Sequence, residues 1–214
     1  MANNVDSYGW ETTEDPGSCG YVVPEIIDII KKQKPSPLKV LDLGCGNGML
    51  CGFLSEVGVD VVGVDYDDDG VCLAKNKYPN IPFYKYGVQD DPQRLLDEVG
   101  EGFDIVISTE VIEHLYSPQQ LLNFADKCLN KNGKLVLTTP YHGYLKNLLL
   151  SLFNKWDFHH TVSWEGGHIK FWSRKTLTAF LSQHGFEVSA FSGVGRLPYL
   201  WKSMVLVAHK KNNT

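Results

Sequence analysis

Three glycines alternate with other residues directly after an aspartate in the segment Val40–Gly48. The apolar run Leu38–Leu43 predicts a buried strand that leads into this segment, and the residues after it predict a helix from about Asn47 to Glu56. Glycines at such a strand-to-helix turn permit positive φ and let a ligand approach the backbone closely. The segment therefore predicts a ligand-binding turn at one edge of an α/β sheet.

The rest of the chain repeats this alternation of short apolar runs and amphipathic stretches, which is typical of a parallel sheet covered by helices. Further strands are predicted at 59–64, 81–86, 103–108, 134–139, 186–191 and 204–209. Further helices are predicted at 22–33, 67–77, 117–129 and 173–184. A leucine-rich stretch and an aromatic, histidine-rich loop interrupt the pattern after the fifth strand. Because ligands bind beyond the carboxyl ends of parallel strands, we expect this interruption to form a small cap over the ligand site.

The 214 residues of the chain suit a single domain, 1–214, with a cap insertion at about 141–172. The hydrophobic fraction of 43% is enough for a full core, and no apolar run approaches the roughly 18 residues that a membrane span needs. The net charge of −5 disfavours a general nucleic-acid binder, which usually needs a basic surface to neutralise phosphates.

The five cysteines of the chain are scattered, and no Cys-x-x-Cys pair is present. This usage argues against a zinc cluster and against a disulfide framework. The stretch Met1–Asp15 is polar and acidic, without the basic and apolar regions of a signal peptide. Together these features predict a cytoplasmic location.

Two common nucleotide-binding fingerprints fail on the glycine segment. A nicotinamide fingerprint needs its third glycine where Met49 stands, and a P-loop needs a lysine directly after Gly48. The remaining pattern, Asp-x-Gly-x-Gly-x-Gly, resembles motif I of the class I S-adenosylmethionine-dependent methyltransferases. The resemblance implies S-adenosylmethionine as cofactor and an α/β, Rossmann-like, seven-stranded mixed sheet of order 3-2-1-4-5-7-6, with the last strand antiparallel and helices on both faces.

The same resemblance implies roles for the residues around the glycine segment. Asp42 helps to position the methionine ammonium, and Asp65, at the end of the second strand, accepts hydrogen bonds from the two ribose hydroxyls. Tyr66 packs on the adenine. The expected cofactor-binding residues are Asp42, Gly44, Cys45, Gly46, Asn47, Gly48, Asp65, Tyr66, Val88, Gln89 and Thr109. The competing interpretation is a plain glycine turn with a solvent-facing Asp65.

A second motif follows the fourth strand, where Glu110, Glu113 and His114 stand at i, i+3 and i+4, on one face of a helical turn. The segment 103–115 resembles the Asp-x-Val-x-x-x-x-Val-x-Glu-His stretch of a methyltransferase branch that includes the ubiquinone-biosynthesis O-methyltransferases. The segment 166–173 resembles a further stretch of the same enzymes. This resemblance predicts Glu113, His114 and His168 as catalytic residues.

Two carboxylates and an imidazole in this arrangement suit a divalent cation, Mg²⁺ or Mn²⁺, better than a thiophilic metal. The candidate ligands are Glu110, Glu113 and His114, with His168 as a distant addition. A metal there would lower the pKa of a bound acceptor hydroxyl. Two other interpretations stay open: Glu113 and His114 only shape the loop over the cofactor, or His114 acts alone as a general base.

The cap itself permits several interpretations. Its leucine-rich part, 141–158, is either a mobile lid that contacts a membrane surface or a lipid-like acceptor, or a helix packed on its own sheet or on a dimer mate. The basic and histidine-rich stretch 155–175 predicts an anionic acceptor, with solvated surface charge as the alternative. Tyr8 and Trp10 are expected to fold back over the cofactor.

The sequence thus predicts an S-adenosylmethionine-dependent methyltransferase that acts on a hydroxyl (or amine) group of a small molecule, as a monomer or a homodimer. Two alternatives stay open. One is a metal-assisted 2′-O-methyltransferase of RNA ends, which the Glu-Glu-His set favours and the acidic net charge disfavours. The other is a non-catalytic module that only binds S-adenosylmethionine.

Overall fold

The computed structural model describes Trp10, Thr12, Glu14 and residues 17–33, 37–160 and 166–211. Seven strands form one sheet: β1 (Lys39–Leu43), β2 (Asp60–Asp65), β3 (Phe83–Lys85), β4 (Phe103–Thr109), β5 (Leu129–Pro140), β6 (Phe186–Val194) and β7 (Ser203–Lys210). Their order is β3-β2-β1-β4-β5-β7-β6, and β7 runs antiparallel to both of its neighbours. The predicted strand order and the antiparallel last strand are confirmed.

Eight helices are found in the described part of the chain: α1 (Cys19–Lys31), α2 (Met49–Glu56), α3 (Asp68–Lys77), α4 (Pro92–Val99), α5 (Gln119–Cys128), α6 (Tyr144–Leu152), α7 (Trp156–His160) and α8 (Arg174–Gln183). Buried side chains of α1, α2 and α3 pack into one hydrophobic cluster with the sheet, and those of α4, α5 and α8 pack into another. This division places helices on both faces of the sheet. Within the described residues, no helix combines the length and the apolarity that a membrane span requires.

The sequence reading did not include α4, although local signals for it are present. The Asp91 side chain caps the helix by accepting a hydrogen bond from Gln93 N, and Pro92 occupies the first turn. Gly100 ends the helix in the left-handed conformation with φ of 81°. An aspartate-proline start and a glycine stop, eight residues apart in a polar stretch, were the available signal.

The transition from α5 to β5 also differs from expectation. The helix was expected to span 117–129, but it ends at Cys128, and Leu129 already pairs with Phe103 of β4. The register between these strands shifts after Phe103, which marks a β-bulge. The apolar Leu129 is buried in this pairing, and the strand therefore begins five residues before the predicted start.

Parallel pairing brings the ends of three central strands to the same edge of the sheet. Asp42 of β1 lies opposite Gly63 of β2 on one side and Ile107 of β4 on the other. The loops that leave these strands therefore emerge side by side, as expected for a ligand site in an open α/β sheet.

Candidate functional site

A cavity of about 810 Å³ lies where these loops emerge. Its volume is in the range of pockets that hold cofactors and small molecules. One end, the glycine-loop end, is lined by Asp42, Gly44, Cys45, Gly46, Asn47, Asp65, Tyr66, Val88 and Gln89. The other end, the histidine end, is lined by Glu110, His114, His142, Lys146, His159, His160, His168, Arg196, Lys202 and Ser203.

All predicted cofactor-binding residues except Gly48 line the cavity, Thr109 among them. Gly48 lies behind the loop, where it precedes α2 with φ of 76°. A Cβ atom at this position would lie 2.7 Å from Ala74 Cβ and 2.9 Å from Phe83 Cζ. Gly48 therefore serves the packing of the loop against α3 and β3, and both its φ and its surroundings require glycine.

Two buried carboxylates stand at the glycine-loop end. Asp42 is inaccessible to solvent, and its Oδ2 accepts a hydrogen bond from the Cys51 thiol at 3.3 Å. No described residue donates to its Oδ1. Burial raises the pKa of Asp42 to about 7, because desolvation disfavours the charged carboxylate.

Asp65 is held by the backbone of the glycine loop. Its Oδ2 accepts from Gly46 N at 2.8 Å and its Oδ1 accepts from Asp67 N at 2.9 Å. Burial raises the pKa of Asp65 to about 6, although these backbone hydrogen bonds act in the opposite direction. Asp65 is thus oriented by the loop that it borders and is not the solvent-facing residue of the competing interpretation.

Trp10, Thr12 and Glu14 contact the glycine loop, and the expectation that Trp10 folds back over the cofactor stays a prediction. The Trp10 ring lies where a side chain at position 46 would point, so Gly46 leaves room for this ring. The Asn47 amide donates to Thr12 O at 3.1 Å and to Glu14 O at 3.0 Å. Tyr8, the other residue expected here, lies outside the described residues.

The second motif forms a hydrogen-bonded turn instead of the expected turn of helix. Glu110 adopts φ of 53°, a left-handed conformation that is uncommon for residues other than glycine. Its Oε1 accepts from Thr138 Oγ1 at 2.8 Å, and its Oε2 accepts from Ser203 Oγ at 3.1 Å. Burial raises the pKa of Glu110 to about 7.

Glu113 and His114 contact residues 166–170, near the end of the predicted cap. Glu113 is 1% exposed; its Oε2 accepts from Thr139 Oγ1 at 3.0 Å, and its Oε1 has no hydrogen-bond partner among the described residues. Burial, followed by the charge of Glu110, raises the pKa of Glu113. The Glu113 carbonyl accepts from the amides of Ile169 and Lys170, which ties the two segments together.

The His114 ring is oriented by the same contact. Its Nδ1 lies 2.6 Å from the Gly166 carbonyl oxygen, so Nδ1 carries the proton and donates it to that oxygen. Its Nε2 lies 3.9 Å from Glu113 Oε1, and the ring packs edge-on against His168 with 4.8 Å between ring centroids. Burial lowers the pKa of His114, so the ring is neutral near pH 7.

Glu113, His114 and His168 each offer one ligand atom, and the three atoms lie within 4.8 Å of one another. This is close enough for one cation to contact all three after small movements. Glu110, which the sequence grouped with Glu113 and His114, is not a member of this set. Its two carboxylate oxygens are engaged with Thr138 and Ser203.

Sequence reasoning missed five residues of the histidine end: His142, Lys146, Arg196, Lys202 and Ser203. His142 follows β5 and is 7% exposed, and no described residue bonds to its Nε2. Lys146, on α6, is 5% exposed. Burial first, and the charge of Lys146 next, lower the pKa of His142 to about 3. A lysine within a leucine-rich stretch gave no sign by itself that it would point inward.

The histidines of the cap gather around His142 and Lys146. The rings of His142 and His160 stack at 5.6 Å, and His159 lies 4.9 Å from His160, measured between ring centroids. Burial lowers the pKa of His159 and of His168 to about 4. The histidine end is therefore lined by neutral imidazoles near pH 7.

Comparisons with known proteins all find similarity to methyltransferases. The sequence profile of a family described as a methyltransferase domain matches residues 20–190. The chain is 29% identical over 165 residues to a ubiquinone biosynthesis O-methyltransferase of Azorhizobium caulinodans, a match that covers 73% of this chain and 62% of the relative. A mitochondrial protein of the same name from Homo sapiens is 29% identical over 192 residues, covering 83% of this chain and 51% of the relative. The chain thus spans between half and two thirds of the length of these relatives.

Among solved structures, the magnesium protoporphyrin IX methyltransferase of Synechocystis, with bound SAH, is similar in fold. The TM-score is 0.65 at 17% identity, and the match covers 88% of this chain and 82% of that one. At this identity the likeness concerns the fold alone.

Proposed function

The chain belongs to the methyltransferase domain family, and from this premise we propose that it is an S-adenosylmethionine-dependent methyltransferase acting on a hydroxyl (or amine) group of a small molecule. The observation that carries the proposal is that one cavity joins two chemically different ends. The glycine-loop end holds buried carboxylates, and the histidine end holds neutral imidazoles. A methyl donor and a methyl acceptor can therefore share this cavity.

The glycine-loop end fits S-adenosylmethionine in charge and in hydrogen-bonding capacity. The buried Asp42 Oδ1, which has no partner among the described residues, would accept from the methionine ammonium, directly or through water. Each Asp65 oxygen has two lone pairs, so the bonds from Gly46 and Asp67 leave capacity for the ribose hydroxyls. The exposed ring of Tyr66 would pack on the adenine, with Val88 and Gln89 beside it.

S-adenosylmethionine supplies a methyl group already activated by a sulfonium, so the protein has to position the acceptor and remove its proton. Because His114 Nδ1–H donates to Gly166, its Nε2 carries a lone pair. We assign to Nε2 the acceptance of the proton from the acceptor hydroxyl. Glu113 and His168 contact the ring and act as positioning residues in this assignment.

The names of the relatives favour oxygen over nitrogen as the acceptor atom. A phenolic hydroxyl is the acceptor we propose, because its proton can be removed by an imidazole at neutral pH more readily than that of an alcohol. The organisation as a single domain with a cap, the cytoplasmic location and the monomeric or homodimeric state stay predictions.

A divalent cation is a second candidate element of the mechanism. The observation in its favour is the proximity of Glu113, His114 and His168, including a buried carboxylate oxygen without a described partner. Mg²⁺ or Mn²⁺ held there would lower the pKa of an acceptor hydroxyl. The same three residues favour the alternative function, a metal-assisted 2′-O-methyltransferase of RNA ends. A short RNA with a free 3′ end is the substrate that tests it.

The deciding experiment is calorimetric titration of the protein with S-adenosylhomocysteine, followed by transfer of tritiated methyl from S-adenosylmethionine to catechol. Both are done after EDTA treatment and again with Mg²⁺ or Mn²⁺. We expect tight binding of S-adenosylhomocysteine under all conditions. We also expect the tritiated methyl group to be attached to a phenolic oxygen of catechol. Metal-dependent transfer would select the cation mechanism, and metal-independent transfer would select His114 as base. Folded protein that binds no S-adenosylhomocysteine would contradict the proposal.

A further inference from the structure

Helix α6 buries a charged side chain and exposes apolar ones, which is the opposite of an ordinary surface helix. Its buried residue is Lys146, whereas Tyr144, Leu145, Leu148 and Leu152 are exposed. Lysine is almost never fully buried unless it is paired, because taking an ammonium out of water is costly. The fold therefore places a positive charge against the cavity at the expense of apolar burial.

The Lys146 ammonium lacks the partners that would compensate this cost. Among the described residues it makes one hydrogen bond, to the Lys202 carbonyl oxygen at 3.4 Å. An ammonium has three donors, so two remain for a ligand. The described part of the chain provides no carboxylate within ion-pair distance of Lys146.

A second cation faces the same space. Arg196, in the loop between β6 and β7, lines the cavity, and its charge lowers the pKa of Lys146, after the larger effect of burial. The charge of Glu110 acts in the opposite direction, although both oxygens of this carboxylate accept hydrogen bonds from Thr138 and Ser203. No described carboxylate forms an ion pair with Lys146 or Arg196.

Neutral hydrogen-bonding groups complete this corner. The Nε2 atoms of His142 and His160 are buried and have no partner among the described residues. Each such atom costs free energy unless a ligand or water bonds to it. Lys202 also lines the cavity, and its ammonium lies 4.9 Å from the centroid of the Tyr21 ring.

We propose that Lys146 and Arg196 bind an anionic group, a carboxylate or a phosphate, on the methyl acceptor, with the His142 imidazole as a further hydrogen-bonding partner. This inference rests on the proposed function and names its acceptor class. It also moves the anion site away from the lysines and the arginine of the basic stretch 155–175, because the described residues of this stretch that line the cavity are His159, His160, Gly166 and His168.

The test measures binding of matched charged and neutral ligands to the protein. The pairs are 3,4-dihydroxybenzoate with 3,4-dihydroxybenzamide, and phenyl phosphate with phenol; inorganic phosphate is added as a competitor. Titrations are done with and without saturating S-adenosylhomocysteine, whose own affinity is recorded for every variant. The variants are Lys146→Met, which keeps the length of the side chain, and Arg196→Gln. Lys131→Met, an exposed lysine remote from the cavity, is the control.

We expect the wild-type protein to prefer the charged member of at least one pair by about tenfold or more, which corresponds to about 1.4 kcal/mol of binding free energy. Lys146→Met and Arg196→Gln should each reduce this preference several-fold, and Lys131→Met should not change it. The pair that responds identifies carboxylate or phosphate as the acceptor group. Competition by inorganic phosphate alone, with no preference within either pair, would overturn the assignment to the acceptor.

Other outcomes also overturn the inference. If the wild-type protein shows no preference, or if both variants keep it, the two cations do not bind the acceptor. If the variants lose affinity for S-adenosylhomocysteine by the same factor as for the charged ligands, Lys146 and Arg196 bind the cofactor carboxylate instead. Absence of S-adenosylhomocysteine binding in the wild type would contradict the proposed function, and the ligand pairs would still decide the anion site.

Discussion

The two ends of the cavity are built from different parts of the fold. The glycine-loop end comes from loops that leave adjacent parallel strands, and its key carboxylate, Asp65, is fixed by backbone N–H groups. The histidine end is assembled from segments after β4, β5 and β6 and from the cap, and it is lined by side chains such as Lys146 and His142. The first end is therefore determined by backbone conformation, and the second by which distant side chains meet.

The largest effect that we predict separates the two ends by function. His114→Ala should reduce turnover by about 10²- to 10⁴-fold, the usual contribution of a general base, because the Nε2 lone pair is lost. The affinity for S-adenosylhomocysteine should not change. His209→Ala, a half-exposed histidine on β7, is the control. Steady-state kinetics and calorimetry check this; equal losses of turnover and affinity would indicate that His114 shapes both ends.

Asp65→Ala should weaken binding of S-adenosylhomocysteine by about 30- to 100-fold. The change removes the acceptor of two ribose hydroxyls, at roughly 1–1.5 kcal/mol for each hydrogen bond. Asp68→Ala, which removes an exposed carboxylate paired with Lys85, should have little effect. Calorimetric titration decides between these expectations, and unchanged affinity of the Asp65 variant would show that the ribose is held elsewhere.

A pair of glycine substitutions tests whether the loop is held by packing as well as by its φ angles. Gly48→Ala should lower the free energy of unfolding by about 3 kcal/mol, since a left-handed φ and a steric clash act together. Gly58→Ala has a similar φ of 82° but no atom within 4 Å, so it should cost only about 1 kcal/mol. Urea denaturation measures both, and equal losses would mean that the contacts with Ala74 and Phe83 are unimportant.

The smallest predicted effect concerns acid pH. Burial raises the pKa of Asp42 to about 7 and of Asp65 to about 6, so both carboxylates take up protons between pH 8 and pH 5.5. A raised pKa in the folded state favours the protonated form, so the contribution of these groups to the stability of the free protein falls as pH rises from about 4, the usual pKa of an aspartate, through the folded-state values of about 6 and about 7.

Binding of S-adenosylhomocysteine requires the ionised carboxylates and should therefore weaken by about 20-fold from pH 8 to pH 6, because the ionised fraction falls about tenfold for a pKa of 7 and about twofold for a pKa of 6. Asp42→Asn should flatten the part of this profile near pH 7. Calorimetry at several pH values tests the prediction, and a profile that is already flat in the wild type would show that Asp42 does not contact the cofactor.

Much of the fold was predictable because the signals are local. The strand Leu38–Leu43, the glycine turn and α2 follow from apolar runs and glycine spacing in neighbouring residues. The order of the strands, by contrast, came from the family resemblance. A helix was one of the interpretations of the leucine-rich stretch 141–158, but α6 exposes several of its leucines, so a pattern that assumes apolar burial did not indicate its orientation.

The same distinction holds for the candidate site, where residues beside a local motif were predicted and residues brought together by the fold were not. The sequence placed Asp42 and Asp65 at the cavity, and His114 with His168, because each stands beside a recognisable motif. It grouped Glu110 with Glu113 and His114 on a helical turn, but Glu110 adopts φ of 53° and bonds to Thr138 and Ser203. Helical spacing is a poor guide where the backbone leaves the helical region.

The amino-acid sequence by itself determined the α/β alternation, the ligand-binding turn and the carboxylates beside it, since these depend on residues close together in the chain. Only the tertiary structure decided that Lys146 and Arg196 face one cavity, because the two residues are 50 positions apart and three separate elements, α7, α8 and β6, lie between them. Local periodicity encodes whether a residue is in a helix or a strand. Which side chains meet across a cavity depends on how the cap and the antiparallel β7 pack against the sheet.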